Sequence, residues 1–207
     1  MGKKFNLQPE AYEEGTKLFA KKTVTIEPGV TVLVGCNGAG KTTMLRQIKG
    51  QLKSESAHFH CFDNHADGDR SAMERYMHYG NTKMFATMAF ASEGERIMTV
   101  LSEQAANIGS LVRHSGSEDV YILMDAVDSG FSIDNVDQLK ELLFETAIED
   151  HESRGGKVYI IVTANSYEMA RGEDCIDVIS CNHIRFADYE EYRSFIIDSS
   201  KKKEERP

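Results

Sequence analysis

One stretch, Gly35-Cys36-Asn37-Gly38-Ala39-Gly40-Lys41-Thr42-Thr43, constrains this chain more than any other. Its spacing is G-x-x-x-x-G-K-[ST]. The string matters only between a buried strand and a helix. Both are expected here. Val30–Val34 is a nearly unbroken apolar run, and Met44, Leu45, Ile48 and Leu52 recur at helical spacing. Glycines in such a turn let backbone N–H groups point inward, and the helix start adds free donors and partial positive charge. The segment therefore predicts a cradle for phosphates. Asn37, Gly38, Ala39, Gly40, Lys41, Thr42 and Thr43 are the expected contacts. Lys41 is placed to reach the terminal phosphates of a nucleoside triphosphate, and the Thr42 hydroxyl to bind Mg²⁺. ATP with Mg²⁺ is the expected ligand.

The partner of such a loop is a carboxylate at the end of a buried strand. Asp125 follows Val120-Tyr121-Ile122-Leu123-Met124 and fits that role as the second metal-binding group. Further strands are expected at His58–Phe62, Val158–Val162, Ile176–Ile179 and Ile184–Phe186. Apolar residues at helical spacing run from Ile97 to Val112 and from Val136 to Ala147, and a helix is expected over Glu190–Ile197. Near-continuous apolar strands alternating with helices predict an α/β fold with a mostly parallel sheet covered on both faces. Residues 63–91, rich in Met, His, Asp and Asn, predict a small helical or irregular insert. The whole chain, 1–207, reads as one ATPase domain. Lys201-Lys202-Lys203 and the rest of 199–207 read as a flexible, solvated tail.

The loop and its surroundings resemble the ATP-binding cassette (ABC) ATPases, a branch of the P-loop NTPases. G-x-N-G-x-G-K-T-T is the form typical of that family. Ser92-Glu93-Gly94-Glu95, at the start of the long helix, resembles its signature motif. The resemblance implies that Ser92, Gly94 and Glu95 meet the γ-phosphate held by a second copy of the chain. It also implies that Asp125 holds Mg²⁺, and that Ile160–Asn165 ends at the family's switch position, with Ala164 and Asn165 as candidates. An aromatic ring stacking on adenine is implied as well, with Phe19 the first candidate and Phe5 and Tyr12 weaker ones. Together these point to an ATP-dependent homodimer driving a soluble effector, nearer to the chromosome-maintenance and DNA-repair members than to the transporters.

Several features depart from that pattern. The family's general base is a glutamate directly after the magnesium aspartate, and this chain has Ala126. Alanine cannot orient or deprotonate water, so slow hydrolysis is expected; Asp128 is weighed as a displaced base. No glutamine follows the His58–Phe62 strand, where Asp63 or Asn64 would have to substitute. The insert is too short for a membrane-docking subdomain or a coiled coil. A phosphate-loop kinase of a nucleotide or small metabolite is an alternative, weakened because Arg70, Arg75 and Arg96 are scattered. A non-catalytic ATP sensor is another.

Net charge is 24 − 33 = −9, which disfavours general nucleic-acid binding but leaves a local contact open. The four cysteines form no C-x-x-C pair and predict the reduced thiols of a cytoplasmic protein. No run reaches the roughly 18–20 apolar residues that span a bilayer. His58, His60, Cys61, Asp63 and His65 raise a metal site, outweighed by a plain strand end.

Overall fold

The computed structural model describes residues 2–8, 17–64, 74, 76–90, 93–129 and 131–205. A six-stranded sheet is its centre. Strands β3 (Gly29–Val34), β4 (His58–Asp63), β5 (Val120–Asp125), β6 (Val158–Thr163), β7 (Asp174–Asp177) and β8 (Asn182–Ile184) lie in the order β4-β5-β6-β3-β7-β8. All neighbours run parallel except β7 and β8, which form an antiparallel edge.

The apolar strands are buried on both sides, as their unbroken patterns require. Alternate residues serve different layers. Val32, Val34, Ile122, Met124, Ile160 and Val162 join one core; Leu33, Tyr121, Leu123, Tyr159 and Ile161 join the other. The first core is covered by α3 (Glu93–His114), α4 (Ile133–Leu139) with the π-helical turn Lys140–Glu145 and α5 (Thr146–Glu152), the short α6 (Tyr167–Ala170), and the N-terminal half of α7 (Tyr189–Glu204). The second is covered by α1 (Lys41–Ser54), whose Met44, Leu45, Ile48 and Leu52 are buried, and by a two-stranded antiparallel sheet. That small sheet pairs β1 (Lys3–Asn6) with β2 (Thr23–Ile26). Phe5 ties it down, meeting Tyr121 edge-on at 6.3 Å, while Tyr121 stacks on Tyr159 at 4.9 Å. The fold is that of an α/β P-loop NTPase. Of the insert, α2 (Thr82–Phe90) is helical.

Three expectations need correction. The β1–β2 sheet is an addition to the expected elements. The edge strands sit about two residues earlier than expected, at Asp174–Asp177 and Asn182–Ile184. The stretch expected as a tail is the end of α7: the helix runs to Glu204, Ser199 is 2% exposed, and the Lys203 ammonium donates to the Asn37 carbonyl at 3.1 Å. Basic residues in a last helical turn offset the partial negative charge there, so the lysine run extends the helix. Among the described residues, no helix is long and apolar enough to cross a membrane.

Candidate nucleotide site

The parallel topology brings the C-terminal ends of β3, β5 and β6 side by side, because β6 lies between the other two. Whatever follows each strand therefore faces the same crevice. After β3 comes the loop 35–40, which turns directly into α1. Gly38 and Gly40 have φ of 75° and 110°, a region closed to most side chains and needed here for the tight reversal. A Cβ on Gly40 would also crowd the Phe19 ring, at 3.2 Å. Residues 37–43, with Leu18, Asp125, Ala126, Thr163 and Asn165, line an open cavity of about 300 Å³.

Lys41 folds back over its own loop, donating to the Gly35 carbonyl at 2.7 Å and the Cys36 carbonyl at 3.4 Å. Burial lowers its pKa from the ordinary lysine value, opposed by the nearby Cys36 thiol and the carboxylates of Asp128 and Asp125. An anion in the loop would relieve this desolvation. Asp125, 6% exposed, ends β5. Its Oδ1 accepts from the Thr42 hydroxyl at 3.1 Å and from the Thr163 hydroxyl at 2.5 Å. Thr163 in turn accepts the Ala126 N–H at 2.8 Å. The Thr42 hydroxyl and the Asp125 carboxylate are thus an oxygen pair at the helix start, the donor chemistry that Mg²⁺ takes. The residues present fit that ion.

Ala126 sits on the cavity wall with φ 51°. Its carbonyl accepts from the Asn64 amide at 3.2 Å, and the same amide reaches the Ser129 carbonyl at 2.9 Å. Asn64 therefore ties the end of β4 to the turn after Asp125. Asp128 is buried and does not line the cavity. Its Oδ2 accepts the N–H groups of Asn165 and Ser166 at 2.9 and 2.7 Å. It holds the turn after β6 rather than facing a ligand. Of the two switch candidates, Ala164 is fully buried and the exposed Asn165 lines the cavity.

Other expected residues land elsewhere. Phe19 is 1% exposed and packs beneath Gly40, so its ring offers no free face to a base; the half-buried Leu18 is on the wall instead. Phe5 is in the core, and Tyr12 lies outside the described residues. Ser92 lies outside them too; α3 begins at Glu93, so Gly94 and the exposed Glu95 fall in its first turn. His58 pairs with Glu118 at 3.0 Å and His60 with Gln104 at 2.8 Å, partners that draw the two imidazoles to different groups. His65 lies outside the described residues. Sequence reasoning missed Thr163 and Leu18. The polar residue closing the apolar run Val158–Val162 was the available signal for Thr163; nothing marked Leu18.

A glycine loop on a helix N-terminus, a lysine over it, and an aspartate at the end of the next strand but one define a phosphate-loop nucleotide-binding protein. Residues 31–174, from within β3 to the first residue of β7, match the model of the ATPase family associated with various cellular activities (AAA). The chain belongs to that family, whose domain binds and hydrolyses ATP. No curated protein matches it.

Proposed function

We propose that this chain is an ATP-gated switch of the ATP-binding cassette kind, better at holding MgATP than at hydrolysing it. The observation that carries the reading is Asp125, held between the Thr42 and Thr163 hydroxyls at the loop, with alanine at the next position. The reaction is ATP + H₂O → ADP + phosphate. Loop N–H groups and the α1 terminus bind the phosphates. Lys41 exchanges the Gly35 carbonyl for a phosphate oxygen, and Asn165 offers its amide to the γ-phosphate. Thr42 and Asp125 would hold Mg²⁺, which would supply charge neutralisation on the phosphates. No side chain at 126 orients the attacking water, so turnover is slow.

Two copies close on two nucleotides, each phosphate loop meeting Ser92, Gly94 and Glu95 of the other. Support is the order of motifs and a helix that opens where the signature requires one. Closure and opening drive a soluble, cytoplasmic effector protein; nucleic acid is a lesser candidate. The non-catalytic sensor is the second reading, and Ala126 is what favours it. Among the described residues that line the cavity there is no arginine to act as a kinase lid; Arg70 and Arg75 lie outside the described residues.

Size-exclusion chromatography with and without MgATP tests the reading. The expected result is a monomer that becomes a dimer with MgATP and reverts slowly. A chain that stays monomeric at saturating MgATP refutes the switch. Phosphate release indistinguishable from background selects the sensor.

A further inference from the structure

The nucleotide reading uses one end of each strand but leaves α7 unexplained. We infer that α7 is part of the phosphate site, and that Ser199 and Lys203 are positioning residues that set the direction of the loop's peptide groups. This rests on the nucleotide reading above.

Ser199 and Lys203 are four residues apart and so share one face of the helix. Ser199 is 2% exposed, and its hydroxyl accepts the Cys36 N–H at 3.1 Å. Gly35 keeps the start of the loop compact beside the helix: a Cβ there would lie 3.0 Å from the Ala39 side chain and 3.2 Å from that of Val178, with the Ser199 hydroxyl in ordinary contact at 3.5 Å. Lys203 donates to the Asn37 carbonyl at 3.1 Å. The Asn37 carbonyl and the Gly38 N–H belong to one peptide plane and, in a trans peptide, point in opposite directions. Asn37 and Gly38 line the cavity; Lys203 does not. Holding the carbonyl on the α7 side therefore aims the Gly38 N–H toward the cavity, where an anion would sit. Cys36 and Asn37 are the first residues of the turn, so fixing them limits the directions open to Gly38 and Ala39.

α7 is rigid enough to do this. Its start is capped by Asp188, whose Oδ1 accepts the Glu191 N–H at 2.9 Å. Tyr192 packs on Phe186 at 5.1 Å and on Tyr167 at 5.8 Å. The far end would otherwise be a poor neighbour for phosphate, because the last carbonyls of a helix carry partial negative charge. Lys203 offsets that charge at the point of contact. Lys202 is exposed, and Lys201 pairs with Asp198 at 3.1 Å.

The test is titration calorimetry of the full chain with MgATP, on the wild type and on K203M, K203R, K202M and S199A. Loss of a charge-assisted hydrogen bond that orients a loop donor should weaken MgATP about three- to tenfold in K203M. K203R should recover to within about twofold, because a guanidinium also reaches a carbonyl. S199A should weaken binding similarly, while K202M, which removes the same charge without the contact, should not. The melting point of K203M without nucleotide should equal that of the wild type. Equal MgATP affinity in wild type and K203M overturns the inference and leaves the nucleotide reading intact. So does an equal loss in K202M and K203M, which would mean only bulk charge. Absence of MgATP binding by the unaltered chain overturns both.

Discussion

Replacing Thr163 with valine isolates the junction on which the site depends. Valine has the same shape as threonine and keeps the strand's branching, so what changes is one hydroxyl. That hydroxyl makes two bonds, donating to Asp125 Oδ1 at 2.5 Å and accepting from the Ala126 N–H at 2.8 Å. Both ends are shielded, with Thr163 2% and Asp125 6% exposed. Loss of the bond to a carboxylate costs about 1.5–3 kcal/mol, and an orphaned buried N–H a further 1–3 kcal/mol. Asp125 keeps Thr42, so the combined cost is about 3–4 kcal/mol, taken below the simple sum because bonded neighbours are not additive. For a chain of this length each kcal/mol moves the melting point by about 2–4 °C, giving a drop of roughly 10 °C. Differential scanning fluorimetry without nucleotide reads it directly. Thr163→Ser retains the hydroxyl and is the control; it should lose only about 1 kcal/mol for the missing methyl. The reasoning fails if Thr163→Val melts within about 2 °C of both wild type and Thr163→Ser.

Ala126→Glu should raise phosphate release at least tenfold, a floor set below the 10²–10⁴-fold that a well-positioned base contributes; the backbone adds no new strain, since alanine already occupies φ 51° there. No change in turnover would remove the missing base as the cause. Gly156→Ala should cost about 3 kcal/mol in thermal unfolding, because the added Cβ would overlap the fully buried His151 ring. Thiol labelling followed by mass spectrometry at pH 8 should mark Cys61 first, the one cysteine that is not buried. Cys175 should stay unlabelled until unfolding, since burial pushes its thiol up to about 12. A raised thiol pKa is a stabilising contribution complete below the unfolded value. It is lost as pH rises from about 8.5 toward 12, so stability should decline over that window.

How far the sequence carries can be judged residue by residue. The phosphate loop and Asp125 were legible because each joins a distinctive residue type to the end of an unbroken apolar strand, and a plain turn seldom shows both. The two-sided burial of the sheet was legible from the same runs. The β1–β2 sheet was not. Its strands are four residues long, too short to establish a period of two, and in the first, Lys-Lys-Phe-Asn, Phe5 is the single core residue. Their pairing also spans a long separation in sequence. The π-helical turn leaves no sequence signal of its own. Phe19 was misleading because an aromatic next to a nucleotide loop can stack on a base or fill the space under a glycine, and only packing decides. The lysine run misled because its charge was weighed without the helix that ends beneath it.

The strand order explains why the site is built from such distant pieces. With β6 beside β5, a hydroxyl at its end can donate to Asp125 and accept the N–H of the next residue, Ala126. Asp128 then closes the circuit from the β5 side, holding Asn165 and Ser166 at the end of β6. Asp125, Ala126 and Asn165 therefore belong to one hydrogen-bonded unit. A glutamate at 126 would hang from this unit, aimed into the cavity with its backbone already fixed at both ends by Thr163 and Asn64. On the proposed reading the frame for a base is present and only the base is lacking. On that reading such a frame would respond to a γ-phosphate at Asn165 whether or not water is activated, which is why binding and turnover are expected to separate in this chain.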